Sequence, residues 1–420
     1  MDTSGRLRRR FGIMEAHSRQ ERTSSHRPVV TVFIDGLRYD SLEHMDYLNS
    51  MQSRRPLRTT LGYSLTCHAS MYSGVYPSRH LVWFAWQLSP ATSPYRWLPD
   101  SPYLDKVDFL GTRMLIGKTT RMFSRNSSYG GLPVMKRSTL RSWRYFDATE
   151  HSMCYQPGYL GPLPTVFDLL TAGGRSWKSV GLLDAKHRGG SLSHIEDFTV
   201  GSQLYDWLYL FIGELDSVSH FHRQDSEEAH LLLRRIDSQI ERTMRDATRV
   251  LGEEPILICL SDHGHIPVSE KVDVYELFAS TSRPLDSMLH VVDTNFVRFW
   301  CRDRLEEKHV RDVLGSTGWG WFLTPAELQR FHVVMPDNRY GTCIFYLDRP
   351  RMFKRTAWGY GLRTVSIHGY LPDYPEKDGV FVTNENIPEQ GHVELVDFLP
   401  SLLSKLDMVT PDNLDGRSVW

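Results

Sequence analysis

A three-layer α/β/α sandwich around a mostly parallel sheet, carrying two cap insertions, is the fold class this 420-residue sequence predicts. Three observations predict it. Near-continuous apolar runs lead directly to an acidic residue in "VVTVFID", "WLYLFIGELD" and "PILICLSD". Strand-like and helix-like segments alternate, the signature of right-handed crossovers between parallel strands. Two stretches rich in aromatic residues break that rhythm without a periodicity of their own.

The first strand, Val29 to Ile34, is apolar almost throughout, as a strand buried on both faces must be, and a turn follows at Gly36. Small and apolar residues from Ser64 to Ser73 predict a short helix that stops at Gly74 and Pro77. Residues 83–164 form the first cap insertion. The run "TVFDLLTAGG" predicts a helix ending at Gly173-Gly174, with a strand through Val180 to Leu183 after it. "WLYLFIGELD" is the next strand. Glu227 to Leu251 reads as a long amphipathic helix, with Leu232, Ile236, Ile240 and Met244 at helical spacing. "PILICLSD" is again a strand. The second cap insertion, residues 266–362, holds one strand in "HVVDTNFVRFW" and a capped helix in "TPAELQRF". "GVFVTN" is the last strand, and "HVELVDFLPSLLSKL" a helix interrupted at Pro400. The catalytic core is therefore expected over 29–265 plus 363–420, after a disordered extension over 1–28.

Composition excludes several classes. Forty-nine basic and 50 acidic residues leave a formal charge of -1, so no global field attracts polymeric nucleic acid or an anionic membrane. No run reaches the ~18 apolar residues of a membrane span. The Arg-rich start lacks the apolar segment of an export signal, which makes a cytoplasmic protein the expectation; a basic nucleic-acid-binding arm is the alternative for that segment. The five cysteines (Cys67, Cys154, Cys259, Cys301, Cys343) are scattered and odd in number, against both a disulfide framework and a structural zinc site.

In an open α/β sheet, chemistry collects at the carboxyl ends of the strands. Asp35, Asp216 with His220, and Asp262 with His263 all fall there, and His368 in "SIHGY" adds an imidazole. Carboxylate and imidazole without thiolate suit zinc, or manganese, better than magnesium alone. A helical turn after the strand would place Asp216 and His220 on one face. Singly, Asp35 could be a turn former, the Asp216–His220 couple a surface pair and His368 a turn histidine; their joint placement argues for a divalent-metal site. His222 and His265 lie close enough to support ligands or face substrate, against a reading as exposed histidines. Lys118, Arg121 and Arg125 could contact a substrate phosphate or form a solvated basic face. A nucleophile is offered by Ser64, Thr66 or Cys67 at a predicted helix start, where N–H groups and the helix dipole favour an anion. The bland reading of Ser64 is a helix cap.

Together "FIDGLRYD", "SLTCHASMYSGVYP", "DSVSH", "SDHGH" and the distant "HGY" resemble the alkaline phosphatase superfamily, in its type I phosphodiesterase/nucleotide pyrophosphatase branch. The resemblance covers about 29–265 and 365 to the end, including the closing "VELVDFLPSLL", and implies an alkaline-phosphatase-like sheet. It implies Ser64 as nucleophile, because Ser73-Gly74 follows at the family's spacing. It also implies two divalent ions, one on Asp216, His220 and His368, the other on Asp35, Asp262 and His263, with the Ser64 hydroxyl also bound to the second and so losing its proton more easily. Such ions, about 4 Å apart, stabilise attacking and leaving oxygens in an in-line displacement.

This chain departs from the branch in having Ser for the usual Thr, followed by Leu65-Thr66-Cys67, and in lacking the Asn common after the "YP" stretch. Trp83, Phe84 and Trp86 stand near that point, either as core or as a pocket for a flat group. The sulfatase Cys-x-Pro-x-Arg pattern and an Arg close to Ser64 are both absent, which favours diesters. The expected function is a hydrolase of phosphodiester or nucleotide pyrophosphate bonds in a small-molecule substrate, through a phospho-serine. Phosphomonoester or phosphonate hydrolysis, phosphoryl transfer, and a catalytically silent metal-binding relative are the alternatives.

Overall fold

The computed structural model describes residues 27–101, 103–123, 135, 138–182, 190–200, 205–388 and 392–420. Almost all of the expected N-terminal extension lies outside that set, as does Arg125.

Seven strands form the central sheet: β1 (Val29–Ile34), β2 (Ser53–Arg58), β3 (Trp177–Val180), β4 (Trp207–Ile212), β5 (Ile256–Leu260), β6 (Gly379–Thr383) and β7 (Val393–Glu394), in the order β7-β2-β6-β5-β1-β4-β3. β1 is central and pairs in parallel with β4 and β5, so Ile34 lies level with Ile212 and Phe33 with Leu260. β3 and β7 also pair in parallel with their neighbours. Only β6 runs the other way, against both β2 and β5.

Alternation along β1 builds the three layers. Val30, Val32 and Ile34 pack with Leu233, Ile236, Ile240 and Met244 of the helix Glu227–Leu251, and with Leu192 and Ile195 of Gly190–Asp197. Val29 and Phe33 point the other way, onto the helices Ser64–Ser73, Val166–Ala172 and Phe398–Lys405. These helices are α1 (Ser64–Ser73), α2 (Val166–Ala172), α3 (Gly190–Asp197), α4 (Glu214–His222), α5 (Glu227–Leu251) and α6 (Phe398–Lys405). Apolar area removed from water on both faces, at about 25 cal/mol per Å², is what holds the layers together.

Several expectations need correction. The strand expected from Val180 begins at Trp177 and ends at Val180; Leu183 lies outside the described residues. The strand before Asp216 stops at Ile212, so Asp216 sits in the first turn of α4 and not on a strand end. Leu232 is only half-buried, and Leu233 takes its place in the core stripe of α5. Pro400 does not interrupt α6, which starts at Phe398. Its missing N–H falls in the first turn, where no intrahelical partner exists.

"HVVDTNFVRFW" is a hairpin, not one strand. His290–Val292 and Phe296–Phe299 pair antiparallel and join Cys343–Leu347 and Gly320–Phe322 in a four-stranded sheet. The break falls at Asp293 and Asn295, whose side chains are held by Arg298 at 2.8 Å and by the Tyr63 hydroxyl at 2.8 Å. In the first insertion Trp86–Leu88 pairs with Phe146–Ala148, outside the seven-stranded sheet. Trp83, Phe84 and Trp86 are buried in packed clusters with Tyr340, Phe296 and Trp358, so they act as core and not as an open aromatic pocket.

Candidate active site at the carboxyl edge of the sheet

All seven predicted site residues come together. Asp35 directly follows β1, its N–H bonded to the Ile212 carbonyl at 2.8 Å. Asp262 and His263 lie two and three residues beyond β5 and are fully buried. Asp216 and His220, one turn apart on α4, share a face as their spacing requires. His368 arrives from far along the chain on a two-residue strand, Ser366–Ile367, that pairs antiparallel with Ile266–Pro267. The Val365 N–H also bonds to the His220 carbonyl at 2.8 Å. That staple, close to both histidines, is why a distant imidazole reaches the site.

Two groups result. Around Asp216 Oδ1 lie His220 Nε2 at 3.5 Å and His368 Nε2 at 3.6 Å. Around His263 Nε2 lie Asp35 Oδ1 at 3.6 Å and Asp262 Oδ2 at 3.2 Å. The rings of His263 and His368 stack at 3.8 Å between the groups. Ser64 Oγ stands 3.0 Å from His263 Nε2.

The helix start separates the three candidate nucleophiles. The N-cap of α1 is Tyr63 and no side chain caps it, so Ser64 is not spent as a cap. Thr66 is buried and donates to the Trp83 carbonyl at 2.5 Å. Cys67 is buried against the Thr59 and Thr60 hydroxyls at 3.5 Å, and burial pushes its thiol up to about 11. Of the three, Ser64 alone turns toward the acidic and imidazole groups.

The electrostatics are those of a site short of positive charge. Burial raises the Asp262 carboxyl to about 7, with the Asp216 charge adding to it. Burial, then the charges of Asp262 and Asp216, also holds Asp35 well above the carboxylate range. Asp216 goes the other way: burial works to raise it, but the His265 hydrogen bond and the charges of His368, His265 and His220 hold it well below. Burial keeps His263 and His368 neutral far below the usual imidazole value. Asp35 Oδ1 and Asp262 Oδ2, the carboxylate oxygens beside His263 Nε2, are buried and make no hydrogen bond. Such atoms are costly unless a cation or donor meets them. The donor set of carboxylate oxygens and neutral imidazole nitrogens therefore fits divalent cations. Asp216–His220–His368 and Asp35–Asp262–His263 each bring their ligand atoms within 4.8 Å of one another, and Asp216–His263–His265 does the same across the two.

His265, paired with His222 as a supporting candidate in the sequence, joins the site. It is buried and reaches Asp216 Oδ1 at 2.9 Å; its place in "SDHGH", two residues after His263, was the available signal. His222 is exposed, near Glu228 at 3.8 Å, and takes no part in the site. Lys118 is exposed on the helix Leu110–Phe123, and the side chain of Arg121 lies outside the described residues.

The type I phosphodiesterase/nucleotide pyrophosphatase family profile matches residues 136–333. Over that span, a little under half of the chain, the sequence is similar to that family. The matched span holds Asp216, His220, Asp262 and His263, while Asp35, Ser64 and His368 lie outside it and are joined to the others by the fold. Human ectonucleotide pyrophosphatase/phosphodiesterase 5 has the same α/β architecture, with a TM-score of 0.64 at 12% identity over 92% of this chain and 96% of that one. The murine protein gives 0.61 at 14% identity over 93% and 97%, as does its inactive form in complex with AMP. No curated protein sequence matches the chain. Among the described residues, no helix is long and apolar enough to cross a membrane.

Proposed function

We propose that this protein is a metal-dependent hydrolase of phosphodiester or nucleotide pyrophosphate bonds, with Ser64 as its nucleophile. The observation that carries the reading is the Ser64 hydroxyl 3.0 Å from His263 Nε2, beside unpartnered oxygens of Asp35 and Asp262. Asp216, His220 and His368 would hold one divalent ion, and Asp35, Asp262 and His263 the other, with Ser64 beside the second. Bound there, divalent ions supply nucleophile activation and charge neutralisation at the attacking and leaving oxygens. Three imidazoles among the donors favour zinc, with manganese next.

The chain's own residues do the rest. α1 presents its positive end where the phosphoryl group would lie. Ser64 Oγ attacks phosphorus, the bond to the leaving oxygen breaks, and a phospho-serine ester remains. Water then cleaves that ester and restores the hydroxyl. The AMP complex of the murine relative favours a nucleotide-linked small molecule among possible diesters.

The test is paired turnover of bis-(p-nitrophenyl) phosphate and p-nitrophenyl phosphate by zinc-loaded protein. Faster diester hydrolysis is expected. A monoester preference would move the assignment to a phosphatase, and no turnover of these or of a nucleotide diester would contradict the hydrolase reading.

A further inference from the structure

We infer that His265 is a positioning residue for Asp216, holding its carboxylate in place for one of the two metal ions. The inference rests on the metal-site reading above and concerns a residue outside its six ligands. His265 Nε2 lies 2.9 Å from Asp216 Oδ1, and His265 Nδ1 lies 3.2 Å from Ser366 Oγ. Both ring nitrogens thus lie within hydrogen-bond distance of protein oxygens. His220 differs: its Nδ1 donates to the Ser366 carbonyl at 2.9 Å, which fixes the tautomer and leaves the Nε2 lone pair free toward Asp216. A single serine therefore anchors two imidazoles, His220 through its main chain and His265 through its side chain. The Ser366 hydroxyl is itself within 2.6 Å of the Ser219 carbonyl on α4. Asp216, His220, His265 and Ser366 form one connected frame.

The backbone opposite makes room for this contact. Gly36 sits at φ +76°, and a Cβ there would lie 3.1 Å from His265 Nε2 and 3.2 Å from the Asp216 Cα. A side chain at this position would be strained by the backbone and crowded against the His265–Asp216 pair, which glycine avoids. A carboxylate on the short helix α4 has rotamer freedom of its own, and a buried, doubly tethered ring is what removes it. Outer partners of this kind typically change metal affinity about 10–100-fold when removed.

The experiment is zinc affinity by chelator competition on the full chain, for wild type, His265→Ala, His265→Gln and Asp216→Ala, with the His265→Ala/Asp216→Ala double variant. One of the two ions should bind about 10–100-fold more weakly in His265→Ala, with the other unchanged. His265→Gln, which retains a donor, should recover most of the loss. In the Asp216→Ala background, removing His265 should change nothing further, since its effect runs through that carboxylate. Two ions held as tightly in His265→Ala as in wild type would overturn the inference, as would equal weakening of both. A wild-type protein that holds no zinc would instead overturn the metal-site reading, and this inference with it.

Discussion

At the scale of single residues, Ser64 is set apart from its neighbours by where its hydroxyl is aimed. Thr66 and Cys67, two and three positions on, are turned into the core by hydrogen bonds that Ser64 does not make. Ser64→Ala should lower diester turnover by on the order of 10³-fold or more while zinc content stays at the wild-type level, measured on the same preparation. Metal affinity should also depend on pH in a defined direction. The raised Asp262 carboxyl, about 7 in the metal-free fold, keeps its proton below that pH. Its folded value exceeds its unfolded one, so this group weakens the metal-free fold as pH rises through that range, and a bound cation removes the cost. Because the cation must displace the Asp262 proton and that of the likewise raised Asp35, zinc affinity should fall at least about tenfold per pH unit below 7, as read by calorimetry in buffers of different ionisation enthalpy. Affinity that is flat from pH 5.5 to 8 would contradict the assignment. Of the six proposed ligands, Asp35, Asp216 and Asp262 were legible in the sequence because an apolar run leads toward each, and His220, His263 and His368 through their spacing and the family resemblance. His265 was named there only beside His222, and the sequence did not separate the buried one of the two from the exposed one.

At the scale of elements, α5 shows how far periodicity reaches. Its ends, Glu227 and Leu251, follow from the pattern, and Ser226 caps it by accepting from the Ala229 N–H. The buried stripe runs through Leu233, with Leu232 at its margin. Leu233→Ala should therefore cost about 2–5 kcal/mol of unfolding free energy, clearly more than Leu232→Ala, in denaturant titrations. Equal costs would mean the helix is rotated from the orientation described. β2 escaped notice for the opposite reason. "SRRPLR" is polar on paper, yet Ser53 and Leu57 are buried while Arg54 and Pro56 are exposed. A strand so rich in arginine shows no apolar run, and only pairing with β6 and β7 reveals it. The four-stranded sheet of the second insertion was hidden likewise, because its hairpin turn consists of polar residues that the fold buries.

At the scale of the molecule, the site joins pieces that are remote in sequence. β1, α1, α4, the turn after β5 and the strand Ser366–Ile367 meet there. Ions bound to the folded chain alone must stabilise it by mass action, about 2.7 kcal/mol per site at a hundredfold excess over the dissociation constant. Chelation should therefore lower the melting temperature, and zinc should restore it. The alternating rhythm and the strand ends were readable because backbone pairing and burial act locally. The antiparallel entry of β6 was not, since nothing in "GVFVTN" records which way its neighbours run. The most direct test of the account is zinc per polypeptide in protein dialysed to equilibrium, for wild type and Asp262→Ala. About two ions per chain are expected in wild type, with loss of the ion beside Ser64 in the variant and of diester turnover alongside it. Diester turnover by metal-free protein, or an Asp262→Ala chain that keeps both ions, would contradict it.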